Sequence, residues 1–157
     1  MSGIGFLGEI EIMDYLKKTL SKEIYIPLKD VGIDFGIVNK NNFYLIQVKT
    51  SAFQKGSYFW FDLYRKKMVY KKNAYYIFVC KSLGRRNFMG RKANFFVISS
   101  LELKEWIDNG RLATKHNEDG IFNIFLYPDL KEKRWYYKNK GKQIEWTKYW
   151  NNLEMLK

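Results

Sequence analysis

The sequence contains little cysteine, histidine or proline, and it has no long apolar run. Its single cysteine, Cys80, cannot form a disulfide within the chain, which is typical of a protein from a reducing, intracellular compartment. No stretch approaches the roughly 20 apolar residues that a membrane-spanning helix needs, and no basic residue precedes a hydrophobic segment at the start. We therefore expect a cytoplasmic protein with no secretory signal and no membrane partner.

Histidine and flexible linkers are also scarce. His116 is the only histidine and lies in a polar run without a second histidine or a cysteine nearby, which argues against a zinc site or a nucleophilic role. The chain shows no internal repeat, no low-complexity tract and no linker rich in proline, glycine or serine. We therefore expect a single domain over residues 1–157, a length that allows a substantial core in which Cys80 is packed.

Positive charge is in excess, and it is concentrated in the centre of the chain. The formal net charge is +12, and residues 55–92 hold eleven basic side chains against one acidic side chain. Tyrosine and tryptophan are interleaved with these basic residues, a combination that suits phosphate backbones and exposed bases. An ordinary solvated basic face is the alternative interpretation, and an anionic membrane surface is less favoured because a sustained apolar helical face is missing. The basic residues predicted to contact nucleic acid are Lys55, Arg65, Lys66, Lys67, Lys71, Lys72, Arg85, Arg86, Arg91 and Lys92.

Periodicity predicts a mixture of helices and strands. Apolar residues recur at three- and four-residue intervals over residues 6–20, which predicts an amphipathic helix. Ser99 followed by Glu102 is a capping box, which predicts a second helix that ends near Gly110. A third helix is predicted over residues 144–156, where apolar residues again share one side. Strands are predicted at residues 24–28, 57–63, 74–80, 94–99 and 120–128, with a basic, aromatic loop or strand at 131–142.

Residues 32–50 read as two strands joined by a polar turn, and this hairpin carries three unexpected polar residues. Side chains alternate between the two faces of a strand, so Gln47 and Lys49 share a face. A loop of two or four residues centred just after Lys40 places Asp34 opposite Gln47, and a turn one residue later places it opposite Lys49. Either register brings all three polar groups to one face of the hairpin.

A carboxylate, an amide and an ammonium group at one end of a hairpin are suited to bind a hard cation beside a phosphate. Asp34 would bind Mg²⁺ or Mn²⁺, and Gln47 would add a neutral carbonyl ligand. Lys49 would hold the phosphate or orient the attacking water. The alternative is a structural ion pair between Asp34 and Lys49 on a half-exposed sheet. The apolar flanking residues favour a site, because buried charges need partners.

The hairpin and the helix before it resemble those of the PD-(D/E)xK nuclease superfamily. In that superfamily an Asp precedes a hairpin, and a Glu or Gln, one further residue and a Lys end its second strand. The matching segments here are GIDF and LIQVKTS. The segment GFLGEIEIMDYL is similar to the first helix of these proteins, in which a Gly-Glu pair is followed by a leucine seven residues after the Glu. On this match, which covers residues 5–51, the helix-borne acid is Glu9 and the leucine is Leu16.

The resemblance implies a restriction-endonuclease-like α/β fold, with an αβββαβ core in which helices flank a central mixed β-sheet. It also implies that the catalytic residues are Glu9, Asp34, Gln47 and Lys49, and that Glu9, Asp34 and Gln47 hold Mg²⁺ or Mn²⁺. The expected activity is hydrolysis of DNA phosphodiester bonds by a metal-dependent endonuclease. Intron-encoded homing endonucleases and Holliday-junction resolvases belong to this superfamily, and some members carry Gln-x-Lys. The pattern does not separate DNA from RNA.

Alternatives stay open at the level of sequence. Glu11 competes with Glu9 for the helix position, although Glu9 is preferred because it lies on the apolar side of the helix. Gln47 stands where the superfamily more often has Glu, which allows a nucleic-acid-binding module of the same fold that does not cut. An interaction protein whose basic surface meets an acidic partner is a third hypothesis. Many such nucleases cut as dimers, and the aromatic-rich C-terminal half offers an interface for a homodimer or higher homo-oligomer.

Overall fold

The computed structural model describes residues 3–20, 23–29, 32–54, 57–81, 93–114, 120–139 and 141–157. These residues form two α-helices, ten β-strands and three 3₁₀ helices. In chain order the elements are α1 (Gly3–Leu20), β1 (Glu23–Tyr25), β2 (Phe35–Asn39), β3 (Asn42–Gln54), β4 (Tyr58–Tyr64), β5 (Ala74–Lys81), β6 (Ala93–Ser99), α2 (Ser100–Asp108), β7 (Ala113–Thr114), β8 (Ile121–Asp129), β9 (Arg134–Asn139) and β10 (Lys142–Glu145), with 3₁₀ helices at Arg65–Lys67, Thr147–Tyr149 and Glu154–Leu156.

The strands form one sheet that divides at the long strand β3. Antiparallel pairing joins β1 to β2, β2 to β3, and β5 to β6. Residues 45–52 of β3 run parallel to β5, which makes this layer mixed. At its C-terminal end β3 pairs with β4, and the second layer continues through β8 and β9 to β10 with antiparallel pairing throughout. The predicted fold class, a mixed α/β sheet flanked by helices, is confirmed.

Two hydrophobic cores hold the helices against the sheet. Helix α1 packs on the mixed layer through Ile12, Leu16 and Leu20, which are buried as the predicted amphipathic pattern requires. The other face of that layer meets the second layer and α2 in a core rich in aromatic residues, where Trp135 and Trp146 are fully buried. Within the described part of the chain, neither helix has the length and hydropathy that a membrane crossing requires.

The β2–β3 hairpin adopts the first of the two predicted registers. Its loop contains only Lys40 and Asn41, and Lys40 has a positive φ of 56°, as a two-residue hairpin turn requires. The strand pairing places Asp34, the residue before β2, opposite Gln47. The register that pairs Asp34 with Lys49 is therefore wrong.

The predicted start of α2 and the packing of Cys80 are also confirmed. Ser99 caps the helix by accepting a hydrogen bond from the Glu102 amide, and Gly110 adopts a positive φ of 64° just beyond the helix end. Cys80 is buried in β5. Strand β1 is shorter than predicted, because it ends before Pro27, which has no amide to donate to a strand ladder. His116 lies outside the described residues.

The predicted C-terminal helix over residues 144–156 is wrong. The segment begins within β10, which pairs with β9, and continues as two short 3₁₀ helices. Trp146 and Tyr149 are buried in the aromatic core, whereas Asn151 has a positive φ of 52° and donates its amide to a carbonyl of β6 at 2.8 Å. The apolar residues of this segment are divided between the two cores, so no single helical face could bury them.

Candidate functional site

A cavity of about 540 Å³ lies beside the part of β3 that extends beyond β2. Its walls are the N-terminal half of α1, residues 26–29 and 32–34, and the chain around the 3₁₀ helix Arg65–Lys67. The residues that the sequence motif singled out all line this cavity: Glu9, Asp34, Gln47 and Lys49. The fold therefore brings together one residue of the first helix and three residues of the hairpin.

Backbone hydrogen bonds hold Asp34 across the hairpin. Its amide donates to the Ile46 carbonyl at 2.9 Å, and its Oδ2 accepts a hydrogen bond from the Val48 amide at 2.6 Å. The Asp34 carboxylate thus replaces a backbone carbonyl as the acceptor of the next hydrogen bond in the ladder. Hydrogen bonds to an ionised acceptor are about twice as strong as those between neutral groups. The hairpin itself orders the Asp34 side chain at the point where β2 begins.

Helix α1 brings Glu9 to the cavity from another wall. The pKa of the Glu9 carboxyl is raised above its ordinary value of 4.5, first by partial burial and then by the negative charge of Asp34, while Lys49 opposes the rise. Glu9, Asp34 and Lys49 line the same cavity, which is why the charges of the last two act on the Glu9 carboxyl. The competing acid, Glu11, forms an ion pair with Lys81 at 2.7 Å and is not among the described residues that line the cavity.

Gly8 allows α1 to approach β3 closely. A Cβ atom at position 8 would lie 1.9 Å from Thr50 Oγ1 and 2.9 Å from Thr50 Cβ, far below an ordinary van der Waals contact. Because glycine has no Cβ, the helix backbone can rest directly on Thr50. The Gly-Glu pair, which the sequence identified only by resemblance, therefore has a packing reason: Gly8 sets how far Glu9 enters the cavity.

Gln47 carries a buried acceptor in the wall of the cavity. Its Oε1 is buried and forms no hydrogen bond with any described residue, and its Nε2 lies 3.5 Å from the Val48 carbonyl oxygen. The hydroxyl oxygen of Thr50, which also lines the cavity, is buried in the same way without a described partner. Leaving a buried polar atom unsatisfied costs about 1–3 kcal/mol, and a cation or a donor bound in the cavity would remove that cost.

The donor set fits a divalent cation that prefers oxygen ligands. Glu9 and Asp34 carry carboxylates, and Gln47 adds its unpartnered amide oxygen. Mg²⁺ keeps several waters, so few protein ligands suffice. In the parts of the chain that the structure describes, no three His, Cys, Asp or Glu side chains are grouped to hold a metal. After the carboxylates of Glu9 and Asp34, the third side-chain ligand would therefore be the neutral amide of Gln47. An amide attracts a cation less strongly than a carboxylate does.

Basic side chains stand at the mouth of the cavity. Lys29 and Lys67 line it, and the Lys67 Nζ lies 5.7 Å from the centre of the Tyr64 ring. Arg65 stacks on the Phe122 ring at 5.1 Å. Three of the predicted nucleic-acid contacts are exposed outside the cavity: Lys66, Lys71 and Lys72. The other five lie outside the described residues: Lys55, Arg85, Arg86, Arg91 and Lys92.

Two cavity residues, Tyr76 and Lys29, were not predicted as part of the site. Tyr76 lies beside Gln47 in the parallel pair of β5 and β3, and its hydroxyl accepts a hydrogen bond from the Val69 amide at 2.9 Å. Burial is the main cause that raises the pKa of Tyr76, and the negative charge of Asp34 adds to the rise. The sequence carried no signal for either residue, because it does not state which strand runs parallel to β3 or where the segment after β1 leads.

The fold has a counterpart among solved structures. No family model matches the sequence, and no protein with a curated description matches it. The chain is similar in structure to a bacterial homing endonuclease, I-Ssp6803I, with a TM-score of 0.57 at 15% sequence identity. The similarity covers 98% of this chain and 88% of that chain. The two proteins therefore share a fold over nearly their whole length.

Proposed function

We propose that the chain is a divalent-metal-dependent endonuclease that hydrolyses DNA phosphodiester bonds, and that it is a Gln-x-Lys variant of the PD-(D/E)xK superfamily. The observation that carries the proposal is the convergence of Glu9, Asp34, Gln47 and Lys49 on one open cavity. Similarity in fold to a bacterial homing endonuclease supports it. A fold alone does not specify an activity, so the residues of the cavity carry the weight.

The cavity holds groups suited to bind a metal ion and to stabilise charge on the reacting phosphate. Lys49 stabilises the negative charge that develops on the phosphate in the transition state. Glu9, Asp34 and Gln47 are the residues that would hold the metal ion. When bound, Mg²⁺ or Mn²⁺ polarises a phosphoryl oxygen and lowers the pKa of a coordinated water. Lys29 and Lys67 at the mouth attract the DNA backbone toward the cavity.

The protonation of Glu9 links metal binding to pH. Because its pKa is raised in the free protein, Glu9 keeps its proton to a higher pH than an ordinary glutamate does. A cation and a proton compete for the same carboxylate, so binding of Mn²⁺ releases a proton at mildly acidic pH. We expect the affinity for Mn²⁺, and with it the cleavage rate, to fall as the pH falls through the raised pKa of Glu9.

Cleavage of supercoiled, linear and branched DNA in Mg²⁺ or Mn²⁺ tests the proposal. We expect the wild-type protein to cut at least one of these substrates. Asp34→Asn, which weakens the proposed metal site, and Lys49→Ala, which removes a charge that stabilises the transition state, should each lower the rate by about 10²–10³-fold. Matched controls come from an exposed ion pair on α2, and Lys104→Ala and Asp108→Asn should cut like the wild type. Equal cleavage by all five proteins would contradict the site.

A module of the same fold that binds nucleic acid without cutting is the second candidate. It is favoured by the neutral Gln47 and by the small number of carboxylates near it in the described chain. Titration with Mn²⁺ separates the two candidates. Salt-dependent DNA binding without detectable Mn²⁺ binding would favour the module. For the endonuclease we expect measurable Mn²⁺ binding that Gln47→Glu strengthens, because the substitution adds a negative charge beside the ion.

Double-strand cleavage also bears on assembly. One cavity of this kind holds one scissile bond, so cutting both strands of a duplex at once calls for two copies of the chain. We therefore include a homodimer or higher homo-oligomer in the proposal, and the mass measured by light scattering with and without DNA tests it. Parallel assays with RNA of the same sequence establish which nucleic acid is cut.

A further inference from the structure

The mouth of the cavity carries apolar side chains that the proposed chemistry does not use. Strand β1 ends at Tyr25, and residues 26–29, which we call the lip, run from there along the mouth. Leu28 is fully exposed, at 104% of its reference area, and Ile26 is 68% exposed. Single exposed apolar residues are common on protein surfaces. Here, however, two exposed apolar residues, Ile26 and Leu28, flank a proline and line the candidate active site.

The backbone of the lip is restricted. Pro27 fixes its own φ at about −65°, and its ring keeps the preceding Ile26 in an extended conformation. A restricted segment loses less conformational entropy than a flexible one when it enters a partner. The lip therefore presents its two aliphatic side chains outward at a small entropic cost.

Charges around the lip identify the class of partner. Lys29 follows Leu28 directly, and Lys67 stands elsewhere on the mouth beside the ring of Tyr64. Together with Lys49 inside the cavity, these ammonium groups attract a phosphate backbone. When phosphates are held at the cavity, the bases attached to them lie beside the lip. Apolar side chains of several DNA-bending proteins insert between neighbouring base pairs and partly unstack them.

We propose that the lip is a wedge in which Leu28, supported by Ile26 and Pro27, enters between stacked bases next to the bond held in the cavity. This inference rests on the proposed function and narrows its substrate class. The preferred substrate is duplex DNA that unstacks easily, such as a pyrimidine–purine step, a mismatch or a junction, over a uniformly stiff duplex.

Binding measured without a divalent ion tests the wedge separately from cleavage. The probes are a short paired duplex with 2-aminopurine beside a central pyrimidine–purine step, and the same duplex with a mismatch at that step. The wild-type protein should raise the fluorescence of 2-aminopurine in the paired duplex, because the base leaves the stack. Leu28→Ala should remove this rise and weaken binding to the paired duplex about tenfold or more, as loss of one buried leucine side chain predicts.

Two further measurements sharpen the test. Binding to the mismatched duplex should depend less on Leu28, since a mismatched base costs less to unstack. Leu28→Phe should keep both the affinity and the fluorescence rise. Leu130→Ala is the matched control, because Leu130 is 58% exposed in the turn between β8 and β9 and is not among the described residues of the cavity. It should behave like the wild type.

Several results would overturn the wedge. If the Leu28→Ala variant binds and unstacks the paired duplex as the wild type does, the wedge is refuted. The proposed endonuclease activity would not be affected by that result. A wild-type protein that binds neither duplex would count against the proposed function as well. A change in molecular mass caused by Leu28→Ala would assign the lip to contacts between copies of the chain. Binding to phosphatidylserine vesicles that Leu28→Ala abolishes would assign it to a membrane surface.

Discussion

Gly8→Ala tests the contact that sets the position of Glu9. At an exposed position in a helix, alanine is more favourable than glycine by about 1 kcal/mol, because glycine loses more backbone entropy on folding. An ordinary helical Gly8 would therefore give a more stable protein on substitution. The close approach of α1 to β3 predicts the opposite result.

The geometry sets the size of the effect. The added Cβ would lie 1.9 Å from Oγ1, 2.9 Å from Cβ and 3.0 Å from Cγ2 of Thr50, whereas ordinary contacts begin at 3.4 Å. Rotation of the Thr50 side chain does not relieve the clash, because its Cβ is itself too close. The helix and the strand must therefore separate, by about 0.5 Å to relieve the contact between the two Cβ atoms and by about 1.5 Å if Oγ1 also stays in place. Overpacking of this kind costs about 1–3 kcal/mol, and the helix-propensity gain leaves a net loss of about 0–2 kcal/mol.

Urea unfolding and DNA cleavage together measure this effect. Displacing Glu9 by about 1 Å should lower the cleavage rate by about 100-fold, more than the loss of stability explains. Thr50→Ala removes two of the three close atoms, so the double variant Gly8→Ala/Thr50→Ala should be more stable than the sum of the single effects predicts. A Gly8→Ala protein that is more stable than the wild type, with additive effects at Thr50, would refute the close approach.

Other predictions concern stability and reactivity. The pKa of Glu9 is raised above 4.5 in the folded protein, so ionised Glu9 destabilises the fold. Glu9→Gln should therefore increase the free energy of unfolding at neutral pH. This gain should vanish below pH 4.5, where Glu9 is protonated in both the folded and the unfolded state. Urea unfolding across pH measures it, and a pH-independent difference would contradict the cause. Burial raises the pKa of the Cys80 thiol well above its ordinary value. A thiol reagent should therefore label Cys80 only after unfolding, and rapid labelling of the native protein would contradict its burial. Ser99→Ala should cost about 1 kcal/mol in urea unfolding, because the Glu102 amide loses its acceptor, and no measurable loss would show that this cap contributes little.

Elements whose signals lie within a few residues could be predicted from the sequence. The amphipathic pattern of α1, the cap at Ser99 and the alternation of β3 are all local, and the structure follows them. The helix predicted over residues 144–156 from the spacing of Trp146, Trp150 and Leu153 was wrong. A 3₁₀ turn runs instead from Trp146 to Tyr149. Their rings pack 5.0 Å apart in a core built from distant strands, and this tertiary packing decided the local conformation.

Some residues of the candidate site could likewise be predicted from local sequence, and others could not. Alternation along β3 and the hairpin register were enough to bring Asp34, Gln47 and Lys49 to one place. Glu9 came only from the resemblance, since nothing in the helix pattern states which strand the helix will meet. Lys29 and Tyr76 reach the cavity through a loop and through a parallel neighbour of β3, both of which depend on the three-dimensional pairing of the chain.

A crystal soaked in Mn²⁺, with X-ray data collected at the manganese absorption edge, gives the most direct test of the proposed site. We predict an anomalous peak in the cavity, bounded by the carboxylates of Glu9 and Asp34 and by Oε1 of Gln47, with Lys49 beside it. Metal–oxygen distances should be near the ~2.1 Å typical of Mg²⁺, because Mn²⁺ takes the same oxygen ligands. A peak at another place, or an empty cavity in a protein that cuts DNA in Mn²⁺, would contradict the site.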